Sequence, residues 1–207
     1  MTTPIHAHRI ADTLADPTLA RAWAALEAVP DPEIPVVSIR ELGILRDVRR
    51  ASDGTLEVVI TPTYSGCPAM SQIAADISHA LDAAQLAPYR IETALAPAWT
   101  TDWIDADARE KLRAYGIAPP TSQHAAASGD SSAAAHSEDS REKAIRIVPR
   151  TTAAHAARAP HPTPALPACP RCGSAHTERL AQFGSTACKA LYRCIDCREP
   201  FDYFKPY

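Results

Sequence analysis

Four of the six cysteines fall in two Cys-x-x-Cys knuckles, Cys169-Pro-Arg-Cys172 and Cys194-Ile-Asp-Cys197, with twenty-one residues between them. Each knuckle brings two sulfurs to one ion, and four thiolates close a tetrahedral site of the kind that holds structural zinc at about 2.3 Å. The same sulfur set also accommodates an iron-sulfur cluster, and zinc is the expected occupant. A segment this short buries too little apolar surface to fold unaided, whereas structural zinc contributes roughly 10–16 kcal/mol in such peptides. Between the knuckles, Glu178–Phe183 and Ala190–Tyr192 read as the strands of a zinc ribbon. Cys188 is surplus to the quartet, and three readings stand: a small packed residue, a replacement ligand or a thiol facing a partner. Phe183, Phe201, Tyr203, Phe204 and Tyr207 make either a protein-binding surface or the core of the ribbon itself.

Cys67 is a different kind of cysteine. It stands alone in Ile60-Thr-Pro-Thr-Tyr-Ser-Gly-Cys67-Pro-Ala-Met70, where a strand passes through a tight loop into a helix. Leu56, Val58 and Ile60 alternate with Glu57, Val59 and Thr61, the period-two pattern of a strand with one buried face. Met70, Ile73, Ile77 and Leu81 then recur at helical spacing, and Pro68 suits a first helical position. Cys67 is therefore expected at or near the helix N-cap, where the macrodipole favours thiolate. Phosphatase chemistry would need an arginine six positions on, and Ile73 stands there. A cysteine hydrolase needs a histidine base, and His79 is about 18 Å further along the same helix at 1.5 Å per residue. Metal handling is left as the better use of the thiol, with a small packed residue as the bland reading.

Upstream, Pro30, Pro32 and Pro35 hold Asp31 and Glu33 in a rigid acidic turn, followed by an extended apolar run to Ile39 and a second turn at Gly43. The plain reading of the acids is an Asx-type turn and a solvated carboxylate, and the sharper one turns one of them toward Cys67.

Asp31-Pro-Glu-Ile-Pro35, Leu42-Gly-Ile44 and Thr61-Pro-Thr-Tyr-Ser-Gly-Cys-Pro-Ala-Met70 together resemble the small iron-sulfur assembly domain of SufT-type, MIP18-like proteins over about residues 15–117. With the C-terminal cysteines added, the two-part layout resembles the PaaD (PaaJ) family of phenylacetyl-CoA epoxidase subunits over nearly the whole chain. The resemblance implies a compact α/β domain and a role in maturing metal centres of other proteins. In that light Cys67, helped by Thr63 and Ser65, is expected to hold iron or an iron-sulfur cluster transiently or to contact the client's site, with Asp31 or Glu33 completing the site. The implied partners are the oxygenase and/or reductase subunits of a ring epoxidase in phenylacetate catabolism. The chain would be a non-enzymatic accessory subunit; a structural or regulatory subunit without metal transfer is the alternative.

These residues need elements to position them. Asp16-Pro17 opens a helix with the stripe Leu19, Ala22, Trp23 and Leu26, Tyr89–Leu95 alternates as a strand, and Asp105–Tyr115 forms a helix stopped by Gly116. The expected fold class is α+β, a small mixed sheet covered by helices, plus a C-terminal zinc-ribbon module. Residues 1–117 form the α/β domain, 118–166 an Ala/Pro/Ser/His linker and 167–207 the ribbon. As a flexible chain the linker spans about 35–42 Å r.m.s. at roughly 5–6 Å × √n, so the ribbon is expected to search a partner's surface while tethered. The apolar patch Ala144–Val148 is too short to assign, and His124, His136, His155 and His161 read as solvated polar residues.

From Cys169 onward six Lys and Arg face four acids, and the chain carries net charge −3 at a pI near 6.2, which excludes a phosphate-backbone binder. No apolar leader and no run of eighteen apolar residues is visible, and paired knuckles fit a reducing compartment, so a cytoplasmic protein with no membrane partner is expected. Association as a homodimer is left open.

Overall fold

The first helix shows how closely local signals set the N-terminal elements. The computed structural model describes residues 16–120 and 166–207. Helix α1 (Pro17–Glu27) starts where the Asp16 carboxylate accepts the Thr18 N–H at 2.8 Å, with Pro17 in the first turn. It buries Leu19, Ala22 and Leu26, while Trp23 stays half-buried beneath the Arg40 guanidinium, 5.2 Å from the ring centre.

Between Pro30 and Gly43 the expected extended run is absent. The backbone makes successive turns, with a single bridge from Pro30 to Ser38, yet Ile34, Val37, Ile39 and Leu42 are all buried. The cause is the acidic turn: Asp31 Oδ1 accepts the N–H groups of Glu33 at 2.9 Å and Ile34 at 2.8 Å. That Asx turn and the missing N–H groups of Pro32 and Pro35 leave a strand ladder too few donors. Gly43 adopts φ 71°, and a Cβ there would stand 2.6 Å from Trp103 Cβ, so only glycine fits.

Strand β1 (Leu45–Arg50) follows and pairs antiparallel with β2 (Leu56–Ile60), which pairs parallel with β3 (Tyr89–Thr93) in the order β1-β2-β3. The parallel step is made by α2 (Met70–Ala83), which buries Ile73, Ile77 and Leu81. As the middle strand, β2 is buried on both faces, where one was expected. Leu56, Val58 and Ile60 enter the core; Glu57 opposes Arg49 on β1 and Arg90 on β3 and pairs with both guanidinium groups. The arginines thus neutralise a carboxylate that is only 3 % exposed. β3 ends at Thr93, short of Leu95, which is exposed. A 3-10 turn (Thr101–Trp103) leads to α3 (Ala106–Tyr115), capped by Asp105 onto the Ala108 N–H and ended by Gly116 at φ 99°, both as the sequence predicts.

The C-terminal residues build a second sheet in the order β4-β7-β6-β5, from β5 (Thr177–Ala181), β6 (Lys189–Cys194) and β7 (Pro200–Phe204) in antiparallel succession. Its fourth strand, β4 (Ile117–Ala118), comes from the end of the N-terminal region and lies parallel to β7. The expectation of a freely searching ribbon is therefore corrected: the described residues form one compact unit. Phe204, 1 % exposed, joins the N-terminal core and packs on Trp99 with ring centres 5.9 Å apart, and the Thr101 N–H donates to the Tyr207 carbonyl at 3.4 Å. The aromatics divide accordingly. Tyr192, Phe201 and Tyr203 form the core of the ribbon, Phe204 seals the seam and Phe183 is exposed. Ala144–Val148 and the four histidines of residues 124–161 lie outside the described residues.

Candidate metal centres

In the ribbon the two knuckles are built alike. Gly173 follows the first at φ 75° and Arg198 follows the second at φ 64°, so each loop turns back through a left-handed residue after its second cysteine. The Gly173 N–H donates to the Cys169 carbonyl at 2.9 Å, and the Cys194 N–H to the Glu199 carbonyl at 3.0 Å. These turns bring the four sulfurs within 4.8 Å of one another, with Cys169 and Cys194 buried and Cys172 and Cys197 exposed. Cys169 Sγ lies 3.7 Å from Cys197 Sγ, and Cys172 Sγ 3.6 Å from Cys194 Sγ. A tetrahedron with 2.3 Å metal–sulfur bonds has edges of about 3.8 Å, so the quartet fits one ion closely. A four-iron cluster ties each sulfur to a different iron and would hold them further apart. Beside the site, Asp196 accepts from Ser174 Oγ at 2.5 Å and lies 3.3 Å from His176 Nδ1, which braces the second knuckle against the first.

Cys67 does not sit at the helix N-cap. Helix α2 begins at Met70 with Ala69 as its cap, and Pro68 precedes the helix instead of opening it. Cys67 instead ends the β2–α2 turn, its N–H donating to the Tyr64 carbonyl at 3.1 Å. The expected thiolate is corrected with it. Burial pushes the Cys67 thiol above its ordinary value and the Glu33 and Asp31 charges add to this, against hydrogen bonds from the Ala69 amide and from Thr63. Thr63 is buried and bonded to the sulfur, whereas Ser65 is exposed at the loop apex.

The two acids also separate. Asp31 is 5 % exposed and committed through Oδ1 to its own turn; burial raises its carboxyl pKa although the Glu33 and Ile34 amides oppose it. Glu33 is half-buried and reaches the ribbon, its Oε2 3.8 Å from Cys188 Sγ. This is the contact that sequence reasoning missed. Cys188 is 4 % exposed within the N-terminal core cluster and lies 3.0 Å from Thr186 Oγ1, and its pKa is pushed up to about 11, chiefly by burial. Lys189, next in sequence, is buried with Nζ 3.8 Å from Asp202 Oδ2. Tyr64, beside Cys67, stacks on Tyr207 at 6.4 Å. A cavity of about 540 Å³ opens at this seam, lined by Glu33, Tyr115, Ile117, Phe183, Lys189 and Phe201 among others.

An α/β domain with a half-buried loop cysteine, joined through a shared sheet to a four-cysteine ribbon, defines a class: iron-sulfur-assembly-type proteins that carry a metal ribbon. Residues 19–95 match the family described as iron-sulfur cluster assembly protein, and residues 153–205 match the PaaD zinc beta ribbon domain. The chain is 44% identical over 193 residues to a subunit of the "Putative 1,2-phenylacetyl-CoA epoxidase" of Escherichia coli (strain K12), a match that covers 93% of this chain and 96% of the relative. It belongs to that family, the PaaD family. It is also 31% identical over 88 residues to an Fe-S protein maturation auxiliary factor of Porphyromonas gingivalis (strain ATCC BAA-308 / W83), which covers 42% of this chain and 83% of that one. A crystal structure of a DUF59 domain from Bacillus anthracis aligns with TM-score 0.41 at 28% identity, over 45% of this chain and 89% of that one. Among the described residues no helix is long and apolar enough to cross a membrane.

Proposed function

We propose that this protein is an accessory maturation factor for the multicomponent phenylacetyl-CoA epoxidase and assists assembly of the enzyme's iron or iron-sulfur centre without catalysing a reaction itself. The observation that carries this reading is the setting of Cys67: a half-buried thiol, hydrogen-bonded to Thr63 and influenced by Glu33 and Asp31, in a domain of iron-sulfur assembly type. A nucleophilic enzyme would need the thiolate, and burial works against it. A metal ion has no such difficulty, because binding itself displaces the thiol proton. His79, the nearest base in sequence, is exposed on α2.

Cys67 and Thr63 act as the transfer point, with Glu33 as the carboxylate facing it, while Ser65 is free to meet the client. The ribbon quartet holds one zinc ion as a structural element, since its sulfur edges match a single tetrahedral ion. The partners are oxygenase or reductase subunits in the cytoplasm, and the linker between the two modules, expected over residues 118–166, begins after Ala118, which belongs to β4.

Anaerobic co-expression of the epoxidase subunits with wild-type chain or with Cys67→Ser tests this. Iron and sulfide in the purified client should fall in the Cys67→Ser cells to the level of cells lacking the chain. Full client iron in those cells, together with a stable stoichiometric complex, would establish the structural or regulatory subunit instead.

A further inference from the structure

Three residues at the seam remain without an assigned joint role. Cys188 comes from the ribbon, Glu33 from the acidic turn and Cys67 from the β2–α2 loop, and no two of them are near in sequence. The fold nevertheless collects them. Glu33 Oε2 is 3.8 Å from Cys188 Sγ, Cys67 packs against the core cluster that contains Cys188, and the stacked Tyr64 and Tyr207 rings cover the same corner. The Glu33 and Asp31 charges act on both thiols, and both thiols act on both tyrosines. Glu33 also lines the seam cavity, which places the carboxylate of the group at an opening to solvent.

We propose that Cys67, Cys188 and Glu33 form a second metal-binding site, completed by the ribbon, that takes a thiophilic divalent cation of the Fe²⁺ class. Two sulfurs and one carboxylate oxygen suit such an ion and leave a coordination position for a client ligand. Binding releases the two S–H protons to solvent, so two thiolates and one carboxylate face a 2+ charge, with the buried Lys189 ammonium close to Cys188. The group is looser than the ribbon quartet. Among the described residues the quartet alone has three or more ligand atoms within 4.8 Å of one another, so this second set closes by side-chain rotation around the ion. A site that must close on its ion also opens to release it, as delivery requires.

This inference rests on the delivery role proposed above and is tested apart from it. Zinc-loaded full-length chain is titrated anaerobically with Co²⁺, following thiolate-to-cobalt charge-transfer absorption while zinc is measured in parallel. One Co²⁺ per chain should bind beyond the ribbon zinc. Cys67→Ser and Cys188→Ser should each halve the charge-transfer intensity and weaken binding by at least the roughly 10- to 100-fold that loss of a supporting group costs a metal site. Glu33→Gln should weaken binding with the intensity per bound ion kept. A second Co²⁺ retained at full intensity by Cys188→Ser overturns the proposal. If Cys188→Ser loses its ribbon zinc through misfolding, unchanged Co²⁺ affinity in Glu33→Gln overturns it instead. Normal client iron in Cys67→Ser cells would remove the delivery role and leave the cobalt result standing.

Discussion

The chain carries two groups of cysteines that differ in almost every physical respect. The ribbon quartet comes from two short knuckles, is held by left-handed turns and has its sulfurs spaced for one ion. The seam group is drawn from three distant segments, has thiols whose pKa burial raises, includes a carboxylate and is not closed. Preorganised thiolates hold a metal for the life of the fold. Protonated, loosely gathered ligands must exchange protons for metal and move to do so, which suits an ion that comes and goes. In the roles proposed above, one chain separates a metal that makes structure from a metal that is handled.

The largest effect should follow from breaking the first group. Cys194→Ser removes a buried ligand, and with it most of the roughly 10–16 kcal/mol that structural zinc supplies. Zinc stoichiometry should drop toward zero and hydrogen exchange should show β5, β6 and β7 unprotected. Protection surviving in a zinc-free chain would mean that the seam alone holds the ribbon.

Phe204→Ala tests the separation from the other side. Loss of a fully buried phenyl that packs on Trp99 should cost about 3–5 kcal/mol of unfolding free energy in urea. Zinc content should stay at one per chain, because no ligand is touched. Zinc lost together with the seam would erase the distinction between the two groups.

The smallest effect concerns proton affinity. With Cys188 at about 11 against an ordinary 9.0, its thiolate fraction at neutral pH is about 100-fold lower than that of a free thiol, and alkylation by iodoacetamide should be slowed at least as much. Because the folded pKa is the higher one, the protonated thiol favours the fold. That stability is complete below about pH 9 and is lost as pH rises toward about 11. Rapid labelling of Cys188 near pH 7 in the zinc-loaded chain would show that the seam is open in solution.

Sequence alone exposed the parts of this arrangement that depend on neighbours. Asp16-Pro17 and Gly116 mark helix ends within one turn of themselves, and the knuckle spacing announces the quartet because all its geometry is local. Period-two alternation located β2, but hid its second buried face, because the cover is supplied by arginines on the strands either side. The turn chemistry of Asp31 overrode an apolar run that reads as extended. The thiolate expected at Cys67 is not favoured, because burial raises the thiol pKa and the helix that was to lower it starts three residues later than the cysteine. Cys188 and Phe204 carry no local signal for docking. Their partners, Glu33 and Trp99, lie more than a hundred residues upstream.

The pairing of β4 with β7 has a topological consequence. The chain leaves its N-terminal half at Ile117–Ala118 and resumes beside the same sheet, where Ala118 shares a small cluster with Cys169. Exit and re-entry therefore meet at one place, whatever length of chain runs between them. For a flexible connection of any length the closure entropy grows by only about 0.6 kcal/mol for each doubling, because the two ends are already side by side. The polypeptide is in this sense a fold of two pieces, which meet through β4, β7 and the aromatic seam rather than through the stretch of chain that joins them.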